Sequence, residues 1–225
     1  MDNHDFSLEQ EVSRDAGGRL ASDVAVQRRR SPMHYRRLWQ RASSRIQVDV
    51  VSSHDDLEKA FAVRAAVYMG EMGMKFGEDR DGNDLFATHV LARVNGEPVG
   101  CMRIRFFGEF AKPERLAVLP AYRKQRFGGL GIAHALAAFS FDYCARKGYR
   151  RVIGHAKEDL VSFWASFGVD FEPMEGPNGK FSFAGYDTVV MVGTITPPDD
   201  AITLDTPPLV MLQREGAWAG GAIHA

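Results

Sequence analysis

A glycine-rich turn is the segment of this sequence best suited to bind an anion. Residues 126–131 read Arg-Phe-Gly-Gly-Leu-Gly and stand directly before a long helical pattern. Glycines leave backbone N–H groups accessible, and a helix N-terminus carries partial positive charge, so the two together suit a phosphate or pyrophosphate. No Gly-Lys-Ser/Thr follows, which excludes a P-loop, and the glycine spacing is not that of a dinucleotide fingerprint. A plain connection between a strand and a helix is the alternative.

Three carboxylates, Asp79, Asp81 and Asp84, lie within six residues of one another. Such a group repels itself unless a cation lies among its members. Arg64, Arg103 or the amine of a substrate can supply that cation. A solvated acidic loop is the alternative, because charge runs usually face solvent.

The histidines and cysteines predict no metal site. The seven histidines show no ligand spacing with one another or with Cys101 and Cys144, and both cysteines stand in apolar segments, as buried free thiols do. His155, just after a predicted strand, either contacts a ligand or has a structural role.

The composition is that of a globular protein of one domain with tails. The chain has 225 residues, of which 45% are hydrophobic and 25% charged, and its formal net charge is -1. No global field therefore favours nucleic acid or a membrane as partner. The apolar stretches are too short to span a bilayer and the N-terminus lacks the order of a signal peptide, so we expect a cytoplasmic protein.

Periodicity predicts the element order β-α-ββ-β-α-β-α-ββ, which is a mixed sheet with helices on both faces. Ser53 is the predicted cap of the first helix, and Asn95-Gly96 predicts a type I′ turn between two strands. The predicted strands are 46–51, 88–94, 98–106, 114–118, 151–154, 180–184 and 188–195, and the later helices are 130–147 and 160–167.

Three motifs then occur in order: Glu114-Arg-Leu-Ala-Val118-x-Pro120, Arg126-x-x-Gly129-x-Gly131 and Phe163-Trp-Ala-Ser-Phe-Gly168. In this order and on these elements they resemble the GNAT acyltransferase superfamily. The resemblance covers roughly residues 46–195. It implies the GNAT fold, an α/β structure whose mostly antiparallel sheet splays between two strands.

The resemblance also implies a co-substrate, acetyl-CoA or another acyl-CoA, or an acyl group on a carrier protein, inserted where the two strands splay. No metal is implied. Lys124 and Gln125 lengthen the gap before the glycine turn, so either Arg123 or Arg126 faces phosphate. The implied pantetheine contacts are Leu116, Ala117 and Val118, and the implied phosphate contacts are Arg123, Arg126, Phe127, Gly128, Gly129, Leu130 and Gly131.

The implied reaction is direct attack of an amine on a thioester. Glu114 is the candidate base and the backbone N–H of Val118 or Ala117 the candidate oxyanion donor. A surface ion pair of Glu114 with Arg115 or Lys112 is the alternative. Many members use a Tyr to protonate the leaving thiolate, but Trp164 stands there and an indole has no useful acidity, so we predict that it packs. Water, Ser162 and Tyr186 remain as acids.

A second set of motifs is similar to the acyl-homoserine-lactone and N-acyl amino acid synthases of the same superfamily. It comprises Arg64-x-x-x-Tyr68, Asp79-x-Asp81-x-x-Asp84, Gly100-x-x-Arg103 and Glu114-Arg115. Met74 stands where these synthases have a tryptophan, and their last motif, E-x-x-R, is shortened here to adjacent Glu114-Arg115. This branch implies a longer acyl donor. The substrate-binding residues it implies are Arg64, Tyr68, Asp81, Asp84 and Arg103.

We therefore divide the chain into a basic, partly disordered N-terminal extension at 1–45, a GNAT domain at 46–195 and a Pro-containing tail at 196–225. Seven arginines in 28–45 form either a basic arm for nucleic acid or an acidic partner, or a solvated strap on the domain. The tail can dock on the domain or on a second copy in a homodimer. The expected function is N-acyl transfer, acetyl by default, to a small-molecule or peptide amine. The alternatives are a synthase with a longer acyl-CoA or acyl carrier protein donor, and a catalytically silent GNAT-fold binding module.

Overall fold

A computed structural model describes residues 46–167 and 169–217. The predicted extension at 1–45, with its arginine-rich segment, lies outside these residues, as do Gly168 and residues 218–225. Within the two described ranges, no helix has the length and apolar character that crossing a bilayer requires.

Eight strands form one mixed sheet in the order β1-β2-β3-β4-β5-β8-β6, and β7 also pairs with β8. β4 and β5 run parallel, and the other pairings along this path are antiparallel. The predicted mixed, mostly antiparallel sheet is confirmed. The strands are β1 (Ile46–Val50), β2 (Thr88–Val94), β3 (Glu97–Phe106), β4 (Ala111–Val118), β5 (Arg151–Lys157), β6 (Glu172–Pro173), β7 (Lys180–Phe183) and β8 (Tyr186–Thr194).

The first long helix begins where its cap predicts, because Ser53 Oγ accepts a hydrogen bond from the Asp56 N–H at 3.2 Å. Two four-residue elements before β2, Phe76–Asp79 and Asn83–Phe86, were not predicted, since such short segments show no periodicity. The helices are α1 (His54–Ala65), α2 (Phe76–Asp79), α3 (Ile132–Arg146), α4 (Val161–Ala165) and α5 (Pro208–Met211), with a π-helical turn at Ala66–Glu71 and 3₁₀ turns at Asn83–Phe86, Pro120–Tyr122 and Glu158–Leu160.

α1 and α3 cover opposite faces of the sheet. On β2, Val90 and Ala92 join the core that contains Leu136 of α3, whereas Leu91 joins a smaller core with Val63 of α1. Successive strand side chains point to opposite faces, so one strand contributes to both cores. This confirms the prediction of helices on both faces.

The turn between β2 and β3 has the predicted geometry. Asn95 has φ 52° and Gly96 φ 86°, and Val94 is paired with Glu97 across the turn. Two consecutive residues with positive φ define a type I′ turn, whose twist matches that of the flanking strands.

The sheet opens between β4 and β5. Their pairing is confined to Ala111 opposite Val152, although β4 runs on to Val118 and β5 to Lys157. The two strands therefore meet near the start of each and separate toward their C-terminal ends. The predicted splay between two neighbouring strands is confirmed.

A β-bulge interrupts β4 where the sheet opens. Arg103 is paired with Glu114 and Cys101 with Ala117, so Met102 alone lies opposite two residues, Arg115 and Leu116. Arg115 has φ 55°, a left-handed conformation that costs an L-residue about 1–2 kcal/mol. Bulges redirect side chains and often lie next to functional sites, which makes this position of interest.

The described part of the tail packs on the domain through polar contacts. The Ile202 N–H donates to the Arg146 carbonyl at 2.7 Å, Glu215 accepts from Lys147 at 3.0 Å and from Tyr143, and Arg214 donates to Ser52. Four apolar side chains of this segment, Leu204, Leu209, Met211 and Leu212, are exposed and so do not dock on the domain. Docking on a second copy stays a prediction.

Candidate active site

The opening between β4 and β5 leads into a cavity of about 420 Å³ next to the bulge. Much of its wall is apolar. Of the part that the β7–β8 hairpin supplies, the sequence pointed to Tyr186 but not to Phe181 and Phe183. Six of the apolar and aromatic lining residues are Met72, Met74, Trp164, Phe171, Phe181 and Phe183. The cavity can therefore accept an apolar chain or ring as well as a polar reacting group.

The glycine-rich turn forms a compact loop. Phe127 and Leu130 exchange two backbone hydrogen bonds of 2.9 and 3.0 Å, and the residues between them are Gly128 at φ 59° and Gly129 at φ 86°. L-residues avoid these angles, so the conformation of the loop depends on the glycines.

The N-terminus of α3 follows this loop without a side-chain cap. Gly131 is the cap residue, and no side chain there accepts a hydrogen bond from the first turn. A Cβ at Gly131 would collide with Nη1 of Arg126, so this guanidinium lies directly over the helix start. A cation and the positive end of a helix dipole thus coincide, which is an arrangement suited to an anion.

Arg123 is engaged elsewhere. Its guanidinium forms two hydrogen bonds to Glu71, at 2.6 and 2.5 Å, and its Nε donates to the Val118 carbonyl at 2.9 Å. The sequence left Arg123 and Arg126 as alternatives for the phosphate contact. The geometry favours Arg126.

The π-helical turn presents Tyr68 to the bulge. The Tyr68 hydroxyl donates to the Leu116 carbonyl at 3.0 Å, and the Arg115 guanidinium lies 5.8 Å from the centre of its ring. Burial raises the pKa of Tyr68 well above its ordinary value, so this hydroxyl stays protonated and donates. Tyr68 therefore ties the bulge of β4 to the helical layer.

A buried ion network lies beside the cavity, on the α1 side of the sheet. Arg103 is 1% exposed and donates to Asp81 at 2.7 Å, to Asp84 at 2.9 Å and to Glu114 at 2.9 Å. Arg64 is 2% exposed and pairs with Asp79 and Asp84. The chain's own arginines thus neutralise the acidic loop, and the alternative of a solvated loop is wrong.

The network sets the protonation of its members. Burial alone would raise the pKa of Asp84, but hydrogen bonds from Arg64 and Arg103 outweigh it and lower that pKa to about 2. Hydrogen bonds from Arg103 hold the pKa of Asp81 still lower. Both carboxylates are therefore ionised throughout the neutral range.

The residues predicted to bind substrate fall into two groups. Tyr68 and Asp81 line the cavity, whereas Arg64, Asp84 and Arg103 do not. The side chains of Arg64 and Arg103 are buried and enclosed by their ion pairs, which include Asp84. A substrate could touch these two arginines only if those pairs opened first. Substrate contact by the predicted set stays a prediction, and the arrangement gives Arg64 and Arg103 a positioning role.

Glu114 lines the cavity, where a base is required, but two cations hold it. Lys112 Nζ lies 2.7 Å from one carboxylate oxygen and Arg103 Nη2 2.7 Å from the other. Burial would raise the pKa of Glu114, but Lys112 and Arg103 together lower it. Glu114 is therefore ionised and able to accept a proton, with reduced basicity.

His155 of β5 also lines the cavity, with its ring 4.9 Å from that of Phe181. The residue is exposed at the surface, but partial desolvation by the cavity wall and the nearby charge of Lys112 lower its pKa to about 4. The imidazole is therefore neutral at pH 7 and adds no charge to the cavity.

Trp164 packs in an aromatic cluster. Its ring lies 6.4 Å from Phe141, 6.0 Å from Phe167 and 6.1 Å from Phe171, and it adjoins the main core. This packing is what the sequence predicted for the indole. Tyr186, a candidate acid, donates to the Met72 carbonyl at 3.3 Å.

Four cationic side chains of the cavity wall were not predicted as site residues: Arg105, Lys112, Arg115 and Lys157. A signal existed for Arg105, because Phe107 and Phe110 close a tight turn that places Arg105 opposite Lys112. No pattern reveals the left-handed backbone of Arg115.

Comparison with known proteins agrees with the geometry. The model of the GNAT acetyltransferase family matches residues 54–169, just over half of the chain. A Bacillus subtilis strain 168 protein described as a candidate acetyltransferase is 36% identical over 84 residues, which are 36% of this chain and 57% of that protein. The chain thus spans little more than half the length of this relative.

Solved structures share the fold at low identity. A candidate N-acetyltransferase from Lactobacillus plantarum superimposes with a TM-score of 0.57 at 16% identity, over 67% of this chain and 98% of that one. FeeM, an N-acyl amino acid synthase from uncultured soil microbes, gives 0.53 at 10% identity, over 69% and 92%. With the family match over half its length, the splayed sheet and the glycine turn before α3, this chain belongs to the GNAT family of acetyltransferases.

Proposed function

We propose that this protein transfers an acyl group from an acyl-CoA to an amine by direct attack. The observation that carries the proposal is the opening between β4 and β5, which pair only at Ala111 and Val152 and enclose a cavity beyond that pair. Past Ala111, β4 has no partner strand on this side, so its edge suits a ligand that itself carries amides.

In this proposal the donor is held at both ends. The phosphates lie at the N-terminus of α3, on the N–H groups of Gly128, Gly129 and Gly131 and on Arg126, because those of Phe127 and Leu130 are bonded to each other. The pantetheine runs along Leu116, Ala117 and Val118. The support is the absence of a capping side chain at Gly131, together with the guanidinium above it.

The chemistry follows from this placement. The amine nitrogen attacks the thioester carbon, the C–S bond breaks and coenzyme A leaves as thiolate, whose pKa of roughly 8.5 makes it a fair leaving group. A backbone N–H of Ala117 or Val118 stabilises the oxyanion. Glu114 takes the proton after the N–C bond begins to form, when the nitrogen has become acidic enough for a weak base.

The test is thiol release by the pure protein, with acetyl-, octanoyl- and palmitoyl-CoA as donors and a panel of amines. Gly129→Ala should raise the KM for acyl-CoA about tenfold or more, because φ 86° disfavours a Cβ and the loop must rearrange. Gly108→Ala is the matched control, since Gly108 also faces open space but has no left-handed φ. No thiol release and no binding of acyl-CoA would reject the function.

A longer acyl donor is the second candidate. The cavity of about 420 Å³, with walls such as Met74, Phe181 and Trp164, is larger and more apolar than an acetyl group requires. A kcat/KM for octanoyl-CoA or palmitoyl-CoA above that for acetyl-CoA would identify this activity, and acyl carrier protein would then be tested as the carrier.

A further inference from the structure

The cavity wall carries an excess of positive charge. Four cationic side chains line it, Arg105, Lys112, Arg115 and Lys157, against two carboxylates, Asp81 and Glu114. His155 is neutral at pH 7 and leaves this balance unchanged.

The two carboxylates offset only part of this excess, because each is shared between a cation of the cavity wall and the buried Arg103. Asp81 lies 2.7 Å from the buried Arg103 and 3.2 Å from Arg115, and Glu114 lies 2.7 Å from Arg103 and 2.7 Å from Lys112. Arg103, which does not line the cavity, thus already pairs with both carboxylates that do.

Arg105 and Lys157 form no ion pair with a carboxylate of the described ranges, 46–167 and 169–217. Lys157 also borders a second surface pocket, which Glu158, Asp159 and Asp187 line, so Arg105 is the less compensated of the two. Lys157 Nζ lies 4.1 Å from the ring centre of Tyr186, and Arg105 lies 5.0 Å from that of Phe107. These aromatic rings orient the cations without neutralising them.

Arg105 is also placed directly opposite Lys112 in the pairing of β3 with β4. Like charges in directly opposed positions destabilise a sheet, and Glu114 compensates Lys112 but not Arg105 in this pair. Both side chains line the cavity, where an anion could bridge them.

We infer that the acceptor amine carries a carboxylate, and that Arg105 and Lys112 bind it while Lys157 adds positive charge on the opposite strand. This inference rests on the proposed function and names its acceptor class. A simple ammonium ion would be repelled by these cations, whereas an amino carboxylate brings its own counter-charge. The same cations favour the neutral form of the amine, which is the form that attacks.

Two pairs of acceptors test the inference, each differing by one carboxylate. They are 6-aminohexanoate against hexylamine and L-phenylalanine against 2-phenylethylamine, assayed by thiol release with the best acyl-CoA. We expect at least a tenfold higher kcat/KM for the carboxylate member of one pair or of both, as a charge-assisted hydrogen bond provides. Equal values in both pairs would overturn the inference and leave the proposed function standing.

Arg105→Gln removes a cation without disturbing the ion network. It should abolish most of the preference for the carboxylate, through the KM of the acceptor, and leave the KM of acyl-CoA unchanged. Arg151→Gln is the matched control, because Arg151 is an exposed cation on β5 that does not line the cavity. A rise in the KM of acyl-CoA with an unchanged acceptor preference would assign these cations to the donor and overturn the inference.

A binding measurement decides the inference if no amine is acylated, the result that rejects the proposed function. Hexanoate and hexylamine are titrated into the full chain by calorimetry. Tighter binding of hexanoate, weakened at least fivefold by Arg105→Gln and not by Arg151→Gln, supports a carboxylate subsite. Equal binding of the two probes, or no effect of Arg105→Gln, overturns it.

Discussion

At the scale of single residues, the sequence position of Glu114 indicated its candidate role as a base, whereas only its surroundings in the fold show its reduced basicity. Its place on the strand beside the predicted thioester path made it the candidate base, and the side chain does line the cavity. The cations on either side of it, Lys112 and Arg103, come from two strands. Its reduced basicity therefore depends on strand register, which a motif does not contain.

Glu114→Gln tests its role in proton transfer. We expect kcat to fall about tenfold or more at every pH from about 6 to 9, without a shift of the profile, because the low pKa of Glu114 keeps the wild-type carboxylate ionised throughout this range. Steady-state kinetics at saturating donor measures it. Glu97→Gln, at an exposed position at the start of β3, is the control. An unchanged kcat would remove Glu114 from the mechanism.

At the scale of elements, the bulge of β4 positions the site. It sets Arg115 in a left-handed conformation, and its Leu116 carbonyl accepts from Tyr68 on the π-helical turn. Two local irregularities, one in a strand and one in a helix, are thus joined by one hydrogen bond at the cavity. Irregularities of both kinds are frequent at functional sites.

Arg115→Asn and Arg115→Val separate backbone strain from loss of the guanidinium. Both remove the side-chain contacts, but asparagine tolerates φ 55° and a β-branched residue does not. We expect the valine variant to be less stable than the asparagine variant by about 1–2 kcal/mol in urea unfolding. Equal stabilities would mean that the bulge relaxes without cost.

Most elements could be read from the sequence, and the reasons for the exceptions are physical. The elements that were predicted correctly are set by local interactions, which neighbouring residues encode. Examples are the Ser53 cap, the Asn95-Gly96 turn and the helical patterns of α1 and α3. α2 was missed because four residues carry no period. The enclosure of Arg64 and Arg103 was missed because it depends on an irregular loop folding back over the sheet, which no periodicity describes.

At the scale of the whole molecule, the ion network joins three layers. Arg103 of β3 binds Glu114 of β4 and two carboxylates of the loop after α1, and Arg64 joins the same loop to α1. Buried ion groups contribute little when complete, but removal of one member leaves the others unpaired in a medium of low polarity. Stability and site geometry therefore share the same residues.

Arg103→Gln should lower the free energy of unfolding by about 3–5 kcal/mol, because three carboxylates lose their common cation. The free energy of unfolding of Arg103→Lys should lie between those of Arg103→Gln and the wild type, since lysine keeps the positive charge but lacks the guanidinium's several donors. Lys59→Gln, at an exposed i,i+4 pair, should cost far less than Arg103→Gln, because solvent screens that pair. Urea unfolding measures all three, and a loss as small as that of Lys59→Gln would contradict a central role for Arg103.

The same network predicts how stability depends on pH. The pKa of Asp84 falls from 3.8 to about 2 on folding, so its contribution is complete above about pH 4 and is lost as the pH falls through about 2. This shift corresponds to about 2 kcal/mol, and the low pKa of Asp81 adds to the same trend. In Arg103→Gln the dependence below pH 4 should be shallower.

The single pair that joins β4 to β5 has a consequence for the protein without its substrates. Beyond Ala111 and Val152 the sheet divides into two parts, β1 to β4 and β5 with β6, β7 and β8. Each part ends in an open border, an unpaired strand edge, that faces the other. Ordinary sheets have such borders only at their outer rims, where any extended peptide can attach. Here they lie within the sheet, and in the proposed complex the amides of the acyl-CoA pair with them.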